Sequence, residues 1–255
     1  MGMICSPRSW CVFSEDEVEK VVGSLCTGKA ADILGLTAEH LKWGSAGLLR
    51  VITQLFNKAV KERVVPLYKK GPKDDPTSYR TIMVAHVFAK VFGNLLETRL
   101  SAWCEEQGVR APVQAGFRKQ FSTLDHLLSL RVMMEEAKRT QQPLYLLFLD
   151  FKKAFDSVTR NLIQDQLVTL NVPGELINAI ARLYQSVSVK TQVQATGFDS
   201  TLGVIQGCPL SPTLFGLFIE KLFWLSCDKI TGVTVGTQRV SMLIFADVCY
   251  ITHDF

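Results

Sequence analysis

Leu144-Tyr145-Leu146-Leu147-Phe148-Leu149 is an unbroken apolar run that ends in Asp150. A run of this length and content reads as a buried central strand with an acid at its end. Further along, Met242-Leu243-Ile244-Phe245 ends in Ala246-Asp247, and Val248-Cys249-Tyr250-Ile251 resumes the apolar pattern. That reads as a β-hairpin with Asp247 at its tip. A buried strand ending in an unpaired carboxylate is costly unless the charge meets a cation. Two such strands side by side bring two carboxylates together, and like charges that close need a metal, or one must take a proton. Paired acids holding magnesium are the usual device for in-line phosphoryl or nucleotidyl transfer. Spacing alone leaves a second reading open, in which each Asp caps the element after its strand.

Outward from these two runs the chain alternates helical and extended patterns. Thr159 caps a helix to about Leu170, Val172-Pro173-Gly174 punctuates, and a second helix runs from Glu175 to about Tyr184. Val187 to Ala195 alternates as a strand, Gly197 to Ser200 is a turn, and Pro212 opens a helix to about Cys227. Val233-Thr234-Val235 and a turn at Gly236-Thr237-Gln238 precede the final hairpin. Upstream, Ser14 and Glu17 form a capping box ahead of Val18, Val21, Val22 and Leu25 at helical spacing. A loop from Gly28 to Gly35 leads to a second helix or pair, through Ala38–Trp43 and Leu48–Val60. Val64 to Tyr68 and Tyr79 to Ala85 are short strand-like segments around a charged turn with Pro72 and Pro76. Helices over about Ala89–Glu106 and Leu124–Arg139 flank a loop at Gln114–Thr123, and the character changes at Pro143. The class is α+β.

Composition sets bounds. Of 255 residues, 47% are hydrophobic and 20% charged, an ordinary globular balance that argues against disorder. The net charge of +4 permits a polyanionic partner without demanding one. Cys5, Cys11, Cys26, Cys104, Cys208, Cys227 and Cys249 are odd in number and scattered, with no CxxC pair. The pattern points to an intracellular, reducing compartment, with no disulfide framework and no zinc site. The four histidines do not lie at ligand spacing. Ser200 to Ile219 is uncharged and long enough to span a membrane, but Pro209, Pro212 and several glycines break it, so no membrane partner is expected. Met1-Gly2-Met3-Ile4-Cys5-Ser6 fits the myristoylation pattern, or simply the start of a gene fragment.

Six segments in order carry a resemblance. Leu149-Asp150-Phe151-Lys152-Lys153-Ala154-Phe155-Asp156 resembles the first catalytic motif of reverse transcriptases from non-LTR retrotransposons. Gln206-Gly207-Cys208-Pro209-Leu210-Ser211-Pro212 is similar to their motif around the incoming nucleotide, and Phe245-Ala246-Asp247 to the start of their FADD box. Pro66-Leu67-Tyr68-Lys69-Lys70-Gly71, with Tyr79-Arg80-Thr81-Ile82, resembles the fingers motifs. Gln114-Ala115-Gly116-Phe117-Arg118 with Ser122-Thr123 resembles the segment that touches the template, and Gly28-Lys29-Ala30-Ala31-Asp32 the leading fingers region.

The resemblance implies a right-hand polymerase: an antiparallel palm sheet with packed helices over 143–255, a helical and β fingers-like region over 14–142, and a poorly ordered tail at 1–13. It implies an RNA template, a DNA primer and dNTPs as partners. Asp150, Asp247 and the carbonyl of Phe151 would hold two Mg2+ ions, for which Mn2+ can substitute. One ion lowers the pKa of the primer 3′-hydroxyl and the other supports the leaving pyrophosphate. Lys70 and Arg80 would grip the triphosphate, the Arg as a fork and the Lys as a point charge. Phe155 would stand under the sugar C2′ and reject a 2′-hydroxyl, although a core ring is its plainer reading. Gly207 and Pro209 would shape a loop whose backbone approaches a base pair closely, Gln206 would donate and accept hydrogen bonds there, and Arg118 would contact the template. Nucleus and cytoplasm are both left open.

Three departures from the family pattern carry expectations of their own. Val248 stands where the FADD box has its second aspartate, and a lost transition-state interaction of a few kcal/mol costs several orders of magnitude in rate. The stretch from Lys58 to Val64 is shorter than the family's. The chain stops at Phe255, so the thumb is expected to be absent. Polymerase activity is therefore expected to be impaired, with a catalytically inactive nucleic-acid-binding remnant as the alternative.

Overall fold

The computed structural model describes residues 13–32, 35–55, 62–68, 72, 79–84, 87–185, 188–190, 198–199 and 202–253. Within these the helices are α1 (Glu15–Ser24), α2 (Ala38–Lys42), α3 (Ala46–Leu55), α4 (Val87–Glu106), α5 (Thr123–Thr140), α6 (Ala154–Ser157), α7 (Arg160–Thr169), α8 (Gly174–Gln185) and α9 (Ser211–Ser226). The strands are β1 (Glu62–Tyr68), β2 (Tyr79–Val84), β3 (Tyr145–Asp150), β4 (Ser188–Lys190), β5 (Phe198–Asp199), β6 (Val233–Val235), β7 (Gln238–Val240), β8 (Met242–Phe245) and β9 (Val248–His253). Mixed helices and mostly antiparallel strands make the chain α+β. The expected tail apart from Phe13, most of the shortened stretch after Lys58, the charged turn with Lys70 apart from Pro72, and the segment 191–197 lie outside the described residues.

The chain divides into two compact units, Met1–Trp103 with Thr159–Ser211, and Cys104–Val158 with Pro212–Phe255. The change of character at Pro143 falls inside the second unit, so compactness and sequence pattern divide the chain at different places.

The first unit carries a four-stranded sheet in the order β2-β1-β4-β5. β1 and β2 pair antiparallel from Arg63↔Val84 to Tyr68↔Tyr79, and among the described residues β4 joins β1 in parallel at Glu62 and Arg63. The capping box forms as expected: the Glu17 N–H donates to Ser14 Oγ at 3.2 Å, and the Ser14 N–H to Glu17 Oε2 at 2.9 Å. Glu17 also receives Arg99 of α4 at 2.9 Å, and that guanidinium lies 4.2 Å over the Phe13 ring. Asp32 bridges two starts, accepting the Leu36 N–H at 2.9 Å and the Val87 N–H of α4 at 3.3 Å. Val18, Ile52, Val91, Leu96 and Leu100 are fully or almost fully buried, as are Leu167, Leu176, Ile205 and Leu210. Each such side chain contributes about 1.5–3 kcal/mol relative to exposure.

The second unit carries an antiparallel sheet in the order β3-β9-β8 and the small β6–β7 hairpin turning at Gly236-Thr237. Here one expectation is corrected. Among the described residues β3 is an edge strand, not a buried central one, with Tyr145 at 53%, Leu147 at 54% and Phe148 at 57% exposure. An apolar run signals only that a strand can be buried, and the neighbours that would cover it are set elsewhere in the chain. The buried strand is β8, whose Met242 and Ile244 are inaccessible to solvent.

Candidate active site

The hairpin expected around Asp247 is present. β8 and β9 pair from Met242↔Ile251 to Phe245↔Val248, which leaves Ala246 and Asp247 as a two-residue turn. β9 pairs on its other side with β3, and the last pair of that ladder is Asp150↔Val248. Directly opposed residues share one face of a sheet with Cβ atoms about 4.5–5.5 Å apart. Val248 therefore stands beside Asp150 on one face, and Asp247 precedes it in the turn. The Phe151 N–H reaches the Asp247 carbonyl at 3.5 Å, tying the end of β3 to that turn.

Asp150 is exposed and Asp247 half-buried. Neither carboxylate hydrogen-bonds or pairs with a cation among the described residues. No cluster of three or more His, Cys, Asp or Glu gathers among those residues either. Two carboxylates at adjoining strand ends, with the carbonyl of Phe151 next in the chain, are hard oxygen donors of the kind magnesium takes. The residue directly across from Asp150 in the ladder is a valine, whose side chain adds no oxygen donor to these.

The aromatic at position 155 belongs to α6. Its ring is half-buried, stacked on Phe215 at 4.5 Å and 16°, with Phe117 edge-on at 6.1 Å. Arg118 is deeply engaged. Its Nε and Nη2 donate to the two oxygens of Glu105 at 2.9 and 2.7 Å, and its Nη1 to the carbonyls of Ala111 and Gln114 at 3.1 Å each. The guanidinium also lies 4.4 Å over Phe121, so in this conformation it braces its own loop. Arg118 holds the Glu105 carboxyl below the ordinary carboxylate value by hydrogen bonding.

A second arginine at this loop escaped the sequence reading. Arg110 is buried against Glu220 of α9, with Nε at 2.8 Å and Nη2 at 2.7 Å from one oxygen. The Ala111 N–H donates to the other oxygen at 2.8 Å. Burial raises the Glu220 pKa, and Arg110 and the Ala111 N–H pull against that rise. Nothing in the local sequence pairs these residues, which lie 110 positions apart.

Gln206 and Gly207 belong to the first unit, in the turn before α9. Gly207 has φ +107°, open to glycine and strained for other residues. The turn is anchored by Ser211, whose Oγ donates to the Ile205 carbonyl at 2.7 Å and lies 3.0 Å from the buried Tyr184 hydroxyl. With the Ser211 proton committed to the carbonyl, Tyr184 is the donor to Ser211, and burial raises its pKa so that it stays protonated. Gly93 of α4 packs on the same turn, where a Cβ would come 3.0 Å from Cys208 Sγ. Arg80 lies in β2 opposite Leu67, and Lys70 lies outside the described residues. Burial pushes the Cys104 and Cys249 thiols up to about 12 and about 11, so both are poor nucleophiles. No described helix is long and apolar enough to cross a membrane.

Residues 68–254 match the family model described as reverse transcriptase (RNA-dependent DNA polymerase). The chain is 29% identical over 251 residues to the retrovirus-related Pol polyprotein from type-1 retrotransposable element R2 of Nasonia vitripennis, covering 93% of this chain and 23% of that protein. It is 29% identical over 230 residues to the probable RNA-directed DNA polymerase from transposon X-element of Drosophila melanogaster, covering 82% of this chain and 25% of that protein. It is 26% identical over 255 residues to the transposon TX1 149 kDa protein of Xenopus laevis, covering 94% and 19%. The chain thus spans a quarter or less of the length of these relatives. It belongs to the reverse transcriptase family, on the branch of the non-LTR retrotransposons.

Proposed function

We propose that this chain is the fingers-and-palm part of an RNA-directed DNA polymerase that copies an RNA template from a DNA primer, with its rate limited by Val248. The observation that carries this reading is the pair Asp150 and Asp247, free of protein partners among the described residues and set at adjoining ends of one antiparallel sheet. Asp150, Asp247 and the carbonyl of Phe151 would hold magnesium there, and the bound ion would acidify the primer hydroxyl and support the charge of the leaving pyrophosphate. Asp150 and Asp247 fix the position of that ion. Phe155, held by its stack on Phe215, presents a rigid ring to the deoxyribose. Gly207 lets the backbone approach a base pair closely, and Gln206 offers both a donor and an acceptor there. Lys70 and Arg80 take the triphosphate, and Arg118 reaches the template through the loop it braces. The family resemblance supports these last assignments.

The test is primer extension with dNTPs on an RNA template, with Mg2+ or Mn2+, comparing the natural chain with Asp150→Asn and Asp247→Asn. Extension that is lost in both variants supports the reading, and extension that survives in either removes that residue from the metal site. A second reading follows from Val248 alone: a remnant that binds RNA–DNA hybrid without extending it. Salt-dependent hybrid binding with no extension at high protein concentration selects this reading over the first.

A further inference from the structure

Asp247 sits in a turn that is held from outside its own hairpin. Gln114 is fully buried, and its Oε1 accepts two backbone protons, from Gly116 N–H at 2.8 Å and Ala246 N–H at 3.1 Å. The segment around it runs beside β8: the Ile244 N–H donates to the Val113 carbonyl at 2.8 Å, and the Ala115 N–H to the Ile244 carbonyl at 2.9 Å. The approach is close enough that a Cβ on Gly116 would lie 2.2 Å from the Ala246 nitrogen. Ala246 itself has φ +56°, a conformation rarely adopted by residues with a side chain. Such strain persists only where the surroundings over-determine it.

The other half of the Gln114 amide gives an independent sign. Its Nε2 is buried with no acceptor among the described residues. A buried donor without a partner is unfavourable, and methionine would fill the same space without one. The glutamine is therefore explained by what its Oε1 holds.

We propose that Gln114 is a positioning residue, whose Oε1 keeps Ala246 in the left-handed conformation and so sets how the carboxylate of Asp247 is presented; this rests on the reading of Asp247 as a cation ligand. The segment Gln114-Ala115-Gly116 thus acts inward, on the catalytic turn. The test is residue-resolved amide exchange on the full chain, comparing the natural protein with Gln114→Met, which lacks the acceptor, and Gln114→Glu, which keeps one. Gln114→Met is expected to speed exchange at Ala246 and Gly116 by about tenfold or more while the β8–β9 ladder is unchanged, and Gln114→Glu to restore protection. Unchanged exchange at Ala246 in Gln114→Met overturns the proposal. So does faster exchange throughout β8 and β9, which makes Gln114 an ordinary core residue. Mn2+ titration of Asp247→Asn, read by electron paramagnetic resonance, separates the two claims. If that variant binds Mn2+ as the natural chain does, the ligand reading fails, while the exchange data still decide the hold on the turn.

Discussion

At the scale of single residues, the loop of residues 110–118 is organised by charges that look inward. Arg110 with Glu220 is a buried pair, and removing one partner of such a pair leaves an uncompensated charge. Arg110→Ala is expected to lower unfolding free energy by about 3–5 kcal/mol in urea denaturation, and Arg110→Met with Glu220→Leu to recover most of the loss. Arg118 with Glu105 is half-exposed and acts through pH. Because the folded pKa of Glu105 is depressed below 4.5, its contribution is present above that pH and is lost as pH falls through the folded value. Glu105→Gln should therefore flatten the acid limb of a melting-temperature profile measured from about pH 3 to 7. The Gln-Ala-Gly-Phe-Arg motif was legible as a motif, but not the direction its side chains take. The partner of Gln114 lies 132 positions away, and that of Arg110 lies 110 away. Residue type shows what a side chain can bond, and only the tertiary fold decides what it meets.

At the scale of elements, most helices and strands were readable because their periodicity and caps agree with their burial. The Ser14–Glu17 box starts α1, and the hairpin of β8 and β9 turns at Asp247 as the acid-terminated apolar run implied. β3 was misread because apolar content does not distinguish a strand between two neighbours from one at an edge. Among the described residues this edge carries no further strand and exposes apolar side chains, the arrangement most prone to pairing with another chain. On α5, Leu124, Leu127 and Leu128 are likewise exposed by more than half. Leu147→Lys is expected to reduce aggregation in light scattering while changing stability by no more than about 0.5 kcal/mol, as at other exposed sites. A large loss of stability would mean that β3 is covered in solution.

At the scale of the whole molecule, the family is settled by the match over residues 68–254 and by the transposon relatives. In the function proposed above, the rate turns on what position 248 contributes. Among the described residues Asp150 and Asp247 have no hydrogen-bond or ion-pair partner, and the residue directly across from Asp150 is a valine, whose side chain offers no donor to a cation. The substitution was legible in the sequence. Its placement opposite Asp150 was not, because cross-strand register depends on how β3 and β9 pair. The most direct test is primer extension on an RNA template with Mg2+ by the natural chain and by Val248→Asp, each with Asp150→Asn as its control. The account predicts extension at least about a hundredfold faster for Val248→Asp than for the natural chain, abolished by Asp150→Asn. Equal extension by the two proteins would contradict it, as would extension that survives Asp150→Asn.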